Sequence, residues 1–307
     1  MEHNRLWSIA DRASRMWWRT VGRPVDLNGD HAWLTAPTSA AGVVRDHWLP
    51  AEAERLGGAL IAADADAGLL PDMGCLAGPG FDPGQLDPAI RDFYEHTSQW
   101  RMEIWTKWSP LFAPAGSMIG RLYGKRVQQL ALPVDPLAAA HGVDTTITKV
   151  VDGEGSHAGS AWLRTLRGTG DFMYSGYYRS ALLPGHDRRS IHVSFPLEQG
   201  NVQVFLRPQN GPDGSLLLQS PAGEFGADGA YVTVLERGRH YAARVPIREE
   251  FRIYVDSEGV LRTDHVLRMW RRAAMRLHYR LDRVSAPRAT DKQLAAQSRV
   301  VRSEAAG

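Results

Sequence analysis

From about Thr145 to Val284 the apolar residues of this chain recur at every second position, whereas those before follow a 3.6-residue rhythm. A helix period laid on a sheet, or a strand period wound on a helix, turns apolar side chains to the wrong face. The switch therefore divides the chain into two kinds of structure. It predicts an α+β fold with a Trp-rich helical region over 1–140, an antiparallel β region over 141–285 and a polar tail over 286–307.

In the front part, residues 1–20 predict a short helix with Leu6, Ile9, Ala13, Met16 and Trp17 on one side. Asp87-Pro88 is an N-cap followed by proline at the first helical position. Ile90, Phe93, Tyr94, Thr97, Trp100, Ile104, Trp105 and Trp108 continue from it at helical spacing, which predicts one long helix over 87–108. A further helix is expected over 116–130, with Met118, Ile119, Leu122, Tyr123 and Val127 on its apolar side.

In the back part, turns such as Asp152-Gly153, Gly168-Thr169-Gly170, Pro212-Asp213-Gly214 and Ser257-Glu258-Gly259 separate about ten short strands. A flat sheet of that size would expose its edges, and closure or strong curling removes them. The expected architecture is an N-terminal helical layer packed on, or plugging, a C-terminal antiparallel β-barrel or strongly curled sheet.

Composition narrows the function classes. With one cysteine, Cys75, in 307 residues, the chain has no intramolecular disulfide and no Cys-based zinc site, which fits a reducing, cytoplasmic setting. No apolar stretch approaches the roughly 18 residues of a membrane span, and no signal-peptide core follows Met1. The formal charge is only +2, lysines are few, and the basic residues are not grouped among the aromatics, so no nucleic-acid groove is expected. No Gly-x-Gly-x-x-Gly, P-loop or Gly-x-Ser-x-Gly motif is present, and no cofactor is expected.

Several residues are candidates for chemistry. On a helical wheel over 87–108, Arg101 falls inside the apolar arc, where a guanidinium needs either an internal carboxylate or a ligand anion. Asp92, His96, Gln99 and Glu103 share the opposite stripe, which reads as a solvated face or as an acid/base set. Asp92 and His96 alone lack a third ligand at recognised spacing, so no metal is expected. In Thr263-Asp264-His265, alternation turns one of Asp264 and His265 inward. The last strand places Met275, Leu277, Tyr279 and Leu281 on one face and Arg276, His278, Arg280 and Asp282 on the other. Tyr174, Tyr177 and Tyr178, with ten tryptophans in the chain, favour a pocket for a large apolar ligand over core filling alone.

The stretches Asp92-Phe93-Tyr94-Glu95-His96-Thr97, Trp105-Thr106-Lys107-Trp108-Ser109-Pro110, Arg126-Val127-Gln128-Gln129-Leu130 and Gly259-Val260-Leu261-Arg262-Thr263-Asp264-His265 together resemble uncharacterised proteins of high-GC actinobacteria. The resemblance covers most of the chain, from about Trp17 to Val284, and implies a bacterial, cytosolic protein. It brings no activity and no catalytic residue with it.

The residues together predict a cofactor-independent acid/base enzyme of cyclase or isomerase type, acting in specialised metabolism on an apolar or polyketide-like molecule in an aromatic pocket. Arg101 is expected to stabilise a developing oxyanion and Tyr94 or His96 to move the proton, with Trp105, Trp108, Thr97, Tyr178 and His265 holding the substrate. The alternative is a non-catalytic carrier for a hydrophobic metabolite, using the same pocket.

Overall fold

The computed structural model describes residues 14–40, 44–62, 64–110, 112, 143–167, 170 and 172–284. Their main feature is an antiparallel sheet. In the front part lie β1 (Arg23–Val25), β2 (Ala59–Ile61) and β3 (Trp100–Trp108), with a helical segment over 14–21 and two short helices, α1 (Leu49–Arg55) and α2 (Pro88–Glu95). The back part is a succession of strands: β4 (Val143–Val151), β5 (His157–Leu166), β6 (Phe172–Leu182), β7 (Arg189–Leu197), β8 (Gly200–Asn210), β9 (Leu216–Gln219), β10 (Gly229–Glu236), β11 (Arg239–Val245), β12 (Ile247–Val255), β13 (Leu261–Met269) and β14 (Arg272–Arg283). Each strand expected from the period-two pattern is present. Of the helix expected over 1–20, residues 14–21 are described and are helical; its first part, the helix expected over 116–130 and the tail from 286 lie outside the described residues.

Strand order along the sheet is β2-β4-β5-β6-β7-β8-β9-β12-β13-β14-β3. It divides at β8, whose first half pairs with β10 and whose last residues, Arg207–Asn210, pair with β9; β10 continues to β11 and β1. Among the described residues β3 pairs with neither β2 nor β4, so the sheet is open and the expected barrel closure is not found.

The long helix expected over 87–108 is also corrected. Its start is as read: the Asp87 side chain accepts from the Ala89 N–H at 2.8 Å, with Pro88 next to it. The helix ends at Glu95, a single 3-10 turn follows over Thr97–Gln99, and the chain then extends as β3. The residues of β3 satisfy two periods at once. Trp100, Ile104 and Trp108 are four apart, yet Trp100, Met102, Ile104, Thr106 and Trp108 also alternate with Arg101, Glu103, Trp105 and Lys107. Aromatic and β-branched residues favour the strand, and nine paired positions along β14 give every residue of β3 a cross-strand partner.

The helical layer is only partly present, because the front half is mostly loop and short elements. Val25 and Leu34 pack with Phe205, Tyr231 and Ala242 on one outer area of the sheet. Val44, Trp48 and Leu49 pack with Val150, Ala161, Leu163 and Tyr177 on another. Residues 67–100, including α2, join the inner core with Trp162, Ile191, Val204, Ile253 and Leu281. No helix among the described residues is long and apolar enough to cross a membrane.

Candidate functional site

The inner faces of β3, β5 to β8 and β12 to β14 border a cavity of about 250 Å3, with Leu69, Phe93 and Tyr94 contributing from the loop and α2. Most of its wall is aliphatic or aromatic, as alternation dictates for the buried face of each strand. A few polar groups interrupt that wall. They come from β5 and β6 on one side and from β12, β13 and β14 on the other.

On β12 and β13, Glu249 and His265 sit diagonally across the ladder, with Glu249 Oε2 3.0 Å from His265 Nε2. Both side chains are 15% exposed or less. A glutamate at Nε2 orients the imidazole and leaves Nδ1 toward the Tyr279 hydroxyl at 3.5 Å, too long for a strong hydrogen bond. Phe251 stacks on the imidazole, ring centroids 3.7 Å apart, and restricts its rotation.

On β6, Tyr174 and Tyr178 lean toward each other until their hydroxyls are 2.9 Å apart. Trp162 on β5 packs against both rings at 5.5 Å. Burial holds the phenols of Tyr94, Tyr174, Tyr178 and Tyr279 well above the ordinary phenol value. These phenols are therefore neutral hydrogen-bond donors and acceptors, not phenolate bases.

Arg164 of β5 points into the same cavity, directly opposite Tyr174 in the register. It is 5% exposed, and burial lowers its pKa from the ordinary guanidinium value. Its Nε and Nη2 have no acceptor among the described residues, and neither does the indole Nε1 of Trp162. A register irregularity between Arg164 and Thr165, of the kind that re-aims side chains, follows immediately.

Of the eight residues given a catalytic or substrate-holding role from sequence, three line this cavity: Tyr94, Tyr178 and His265. The other five do not. Arg101 lies on the exposed face of β3, because the residues after Glu95 alternate as a strand; it does not line this cavity, and the enzyme expectation built on it loses that support. Trp105 shares that outer face and is 51% exposed, with its ring near His278. Trp108 is half-buried at the end of β3, outside the lining. His96 caps the end of α2 near the surface, its Nδ1 2.7 Å from Asp66. Thr97 is buried but structural, donating to the Phe93 carbonyl at 2.6 Å and accepting from the Leu69 N–H.

Sequence reasoning passed over Arg164, Trp162 and Glu249 as site residues. The available signal was an arginine two positions after a tryptophan, hence on the same face of a predicted strand. Asp264, the neighbour of His265, points outward and receives His278 Nδ1 at 2.7 Å. Among the described residues no three His, Cys, Asp or Glu side chains converge as a metal-ligand set. Comparison of the chain with models of known protein families, with curated proteins and with solved structures finds no match.

Proposed function

We propose that the chain is a cofactor-independent acid/base enzyme of isomerase or cyclase type that acts on an apolar small molecule in the sheet-lined cavity. The observation that carries this reading is the Glu249–His265 pair, two ionisable side chains held 3.0 Å apart in a largely apolar wall. A pocket that only solubilised an apolar molecule has no use for such a pair, whose desolvation is costly. His265 is the proton-moving group, Glu249 orients it, and Tyr279 is placed to donate a hydrogen bond to a substrate oxygen. A cytoplasmic setting belongs to the same proposal, supported by the single cysteine.

The apolar character of the remaining wall favours a second reading, a carrier for a hydrophobic metabolite. Exchange of carbon-bound hydrogen separates the two. Aryl-alkyl ketones small enough for the cavity are incubated with the protein in D2O, and deuterium at the carbon next to the carbonyl is followed by mass spectrometry. An acid/base enzyme accelerates exchange over buffer and loses the acceleration in His265→Gln. Binding by calorimetry without any exchange decides for the carrier.

A further inference from the structure

We propose that the cavity's ligand is an apolar monocarboxylate whose carboxylate is taken by Arg164 and the indole N–H of Trp162. The inference rests on the cavity being a ligand site, as proposed above, and adds the chemical class of the ligand.

Other arginines set into the sheet find acceptors among the protein's own groups. Arg179 donates to the Thr35 carbonyl and to His192. Arg207 reaches the buried Asp228 at 3.1 Å, and Arg244 donates through Nη2 to the carbonyls of Pro221 and Asp228, which leaves only its Nε buried without an acceptor. Arg164 is treated differently. It is more buried than these, yet its Nε and Nη2 meet no acceptor, and no carboxylate among the described residues lies within ion-pair distance. The carboxylate on the cavity wall, Glu249, is held by His265. A buried cation without an anion is expensive, so the missing charge is one that the occupant supplies.

The second donor fixes the shape of that anion. Trp162 and Arg164 are two residues apart on one face of β5, with the guanidinium carbon 5.7 Å from the indole ring. Trp162 Nε1 is also buried without an acceptor. A guanidinium fork and a neighbouring N–H match the two oxygens of a carboxylate. A single cation in an apolar wall suits a monoanion and leaves the second charge of a phosphate monoester unpaired. An enolate that exists only during reaction would leave Arg164 unpaired in the resting complex, whereas a carboxylate neutralises it from binding onward.

Volume limits the rest of the ligand. A cavity of about 150 Å3 takes one benzene, so about 250 Å3 here takes a body of roughly ten to fourteen non-hydrogen atoms.

Calorimetric titration of the full chain at pH 8 tests the assignment with two matched sets. These are decanoate, 1-decanol and decylamine, and 4-phenylbutanoate, 4-phenyl-1-butanol and 4-phenylbutylamine. In at least one set the acid is expected to bind roughly ten- to a hundredfold more tightly than the alcohol, the worth of a charge-assisted hydrogen bond, and the amine more weakly still. Arg164→Met should remove that preference while keeping alcohol affinity within about threefold of wild type. Equal binding of acid and alcohol, or preference for the amine, overturns the carboxylate and leaves the cavity reading standing. Failure of all six compounds to bind overturns both. The wild-type comparison alone decides the matter if the variant does not fold.

Discussion

Gly176 stands directly opposite Trp162 in the β5–β6 register, and the Tyr174 ring occupies the space that a side chain at position 176 would take. A Cβ there would lie 2.8 Å from the ring and 2.9 Å from its hydroxyl. The missing side chain is what lets Tyr174 and Tyr178, four residues apart on an extended strand, bring their hydroxyls within 2.9 Å. Gly176→Ala should therefore push Tyr174 into the cavity, cost about 1–3 kcal/mol of stability and weaken ligand binding. Gly159→Ala is the matching control. Its Cβ would run into Tyr177, which packs with Trp48 on the other face of the sheet, so stability should fall while ligand affinity stays. Chemical denaturation and calorimetry on the two variants read both quantities. Equal loss of affinity in both would remove Tyr174 from the site.

In the proposed mechanism Glu249 acts through His265. In Glu249→Gln the imidazole keeps a hydrogen-bond partner but loses the carboxylate that orients it. Deuterium exchange into a bound ketone should fall by about 10²-fold or more, with ligand affinity little changed. An unchanged exchange rate would take the proton transfer away from this pair.

His192 makes a separate prediction about pH. Its ring is fully buried and stacked on Phe205, with centroids 4.2 Å apart. Arg179 Nε donates to Nδ1 at 2.9 Å, so Nε2 carries the proton and donates to Gln203 Oε1 at 2.8 Å. Burial, and then the neighbouring Arg179 charge, hold the imidazole well below its ordinary pKa. Below the unfolded value near 6.5 the unfolded chain takes up a proton that the folded chain refuses. Stability is then complete above that pH and falls toward acid by about 1.4 kcal/mol per pH unit from this group, until the folded pKa is reached. Urea unfolding from pH 7.5 to 5 should show this slope in wild type and a shallower one in His192→Gln. Parallel curves would mean that His192 does not carry the effect.

Arg101 and Trp105 should tolerate truncation. Both point outward from β3, and single substitutions at such positions change stability by about 0.5 kcal/mol or less. Arg101→Ala and Trp105→Ala should leave the melting temperature and ligand affinity within error of wild type. A loss of either property would show that the exposed face of β3 has a role that this geometry does not explain.

That reversal marks how far the sequence could be read. The strands after residue 143 were legible because their turns carry Gly, Asn and Asp at the required places, and the inward face of β14 followed from Met275, Leu277, Tyr279 and Leu281. For 87–108 the same aromatics fitted both periods. Nothing local decided between them, because the deciding partner, β14, lies 164 or more residues away along the chain. Arg164 was hidden for another reason. Both faces of β5 are buried, Trp162 and Arg164 inward and Ala161 and Leu163 under the α1 region, so Ala-Trp-Leu-Arg has no alternation of polar and apolar residues to mark a face. The openness of the sheet was equally illegible, since strand number sets the pressure to close but not the pairing of β3.

Arg164 should be a liability in the empty protein. Charged side chains held in an apolar wall by no partner destabilise the fold, and replacing them with an apolar residue of similar length is often neutral or favourable. Arg164→Met is therefore expected to raise the stability of the ligand-free protein by about 1 kcal/mol or more, whereas removing a paired guanidinium such as Arg207, which serves the fully buried Asp228, should lower it. Thermal unfolding of Arg164→Met and Arg207→Met against wild type, each without ligand, gives opposite signs on this account. A fall in melting temperature for Arg164→Met as large as for Arg207→Met would mean that the guanidinium is already paired in the empty protein, and the carboxylate assigned to it would have no vacancy to fill.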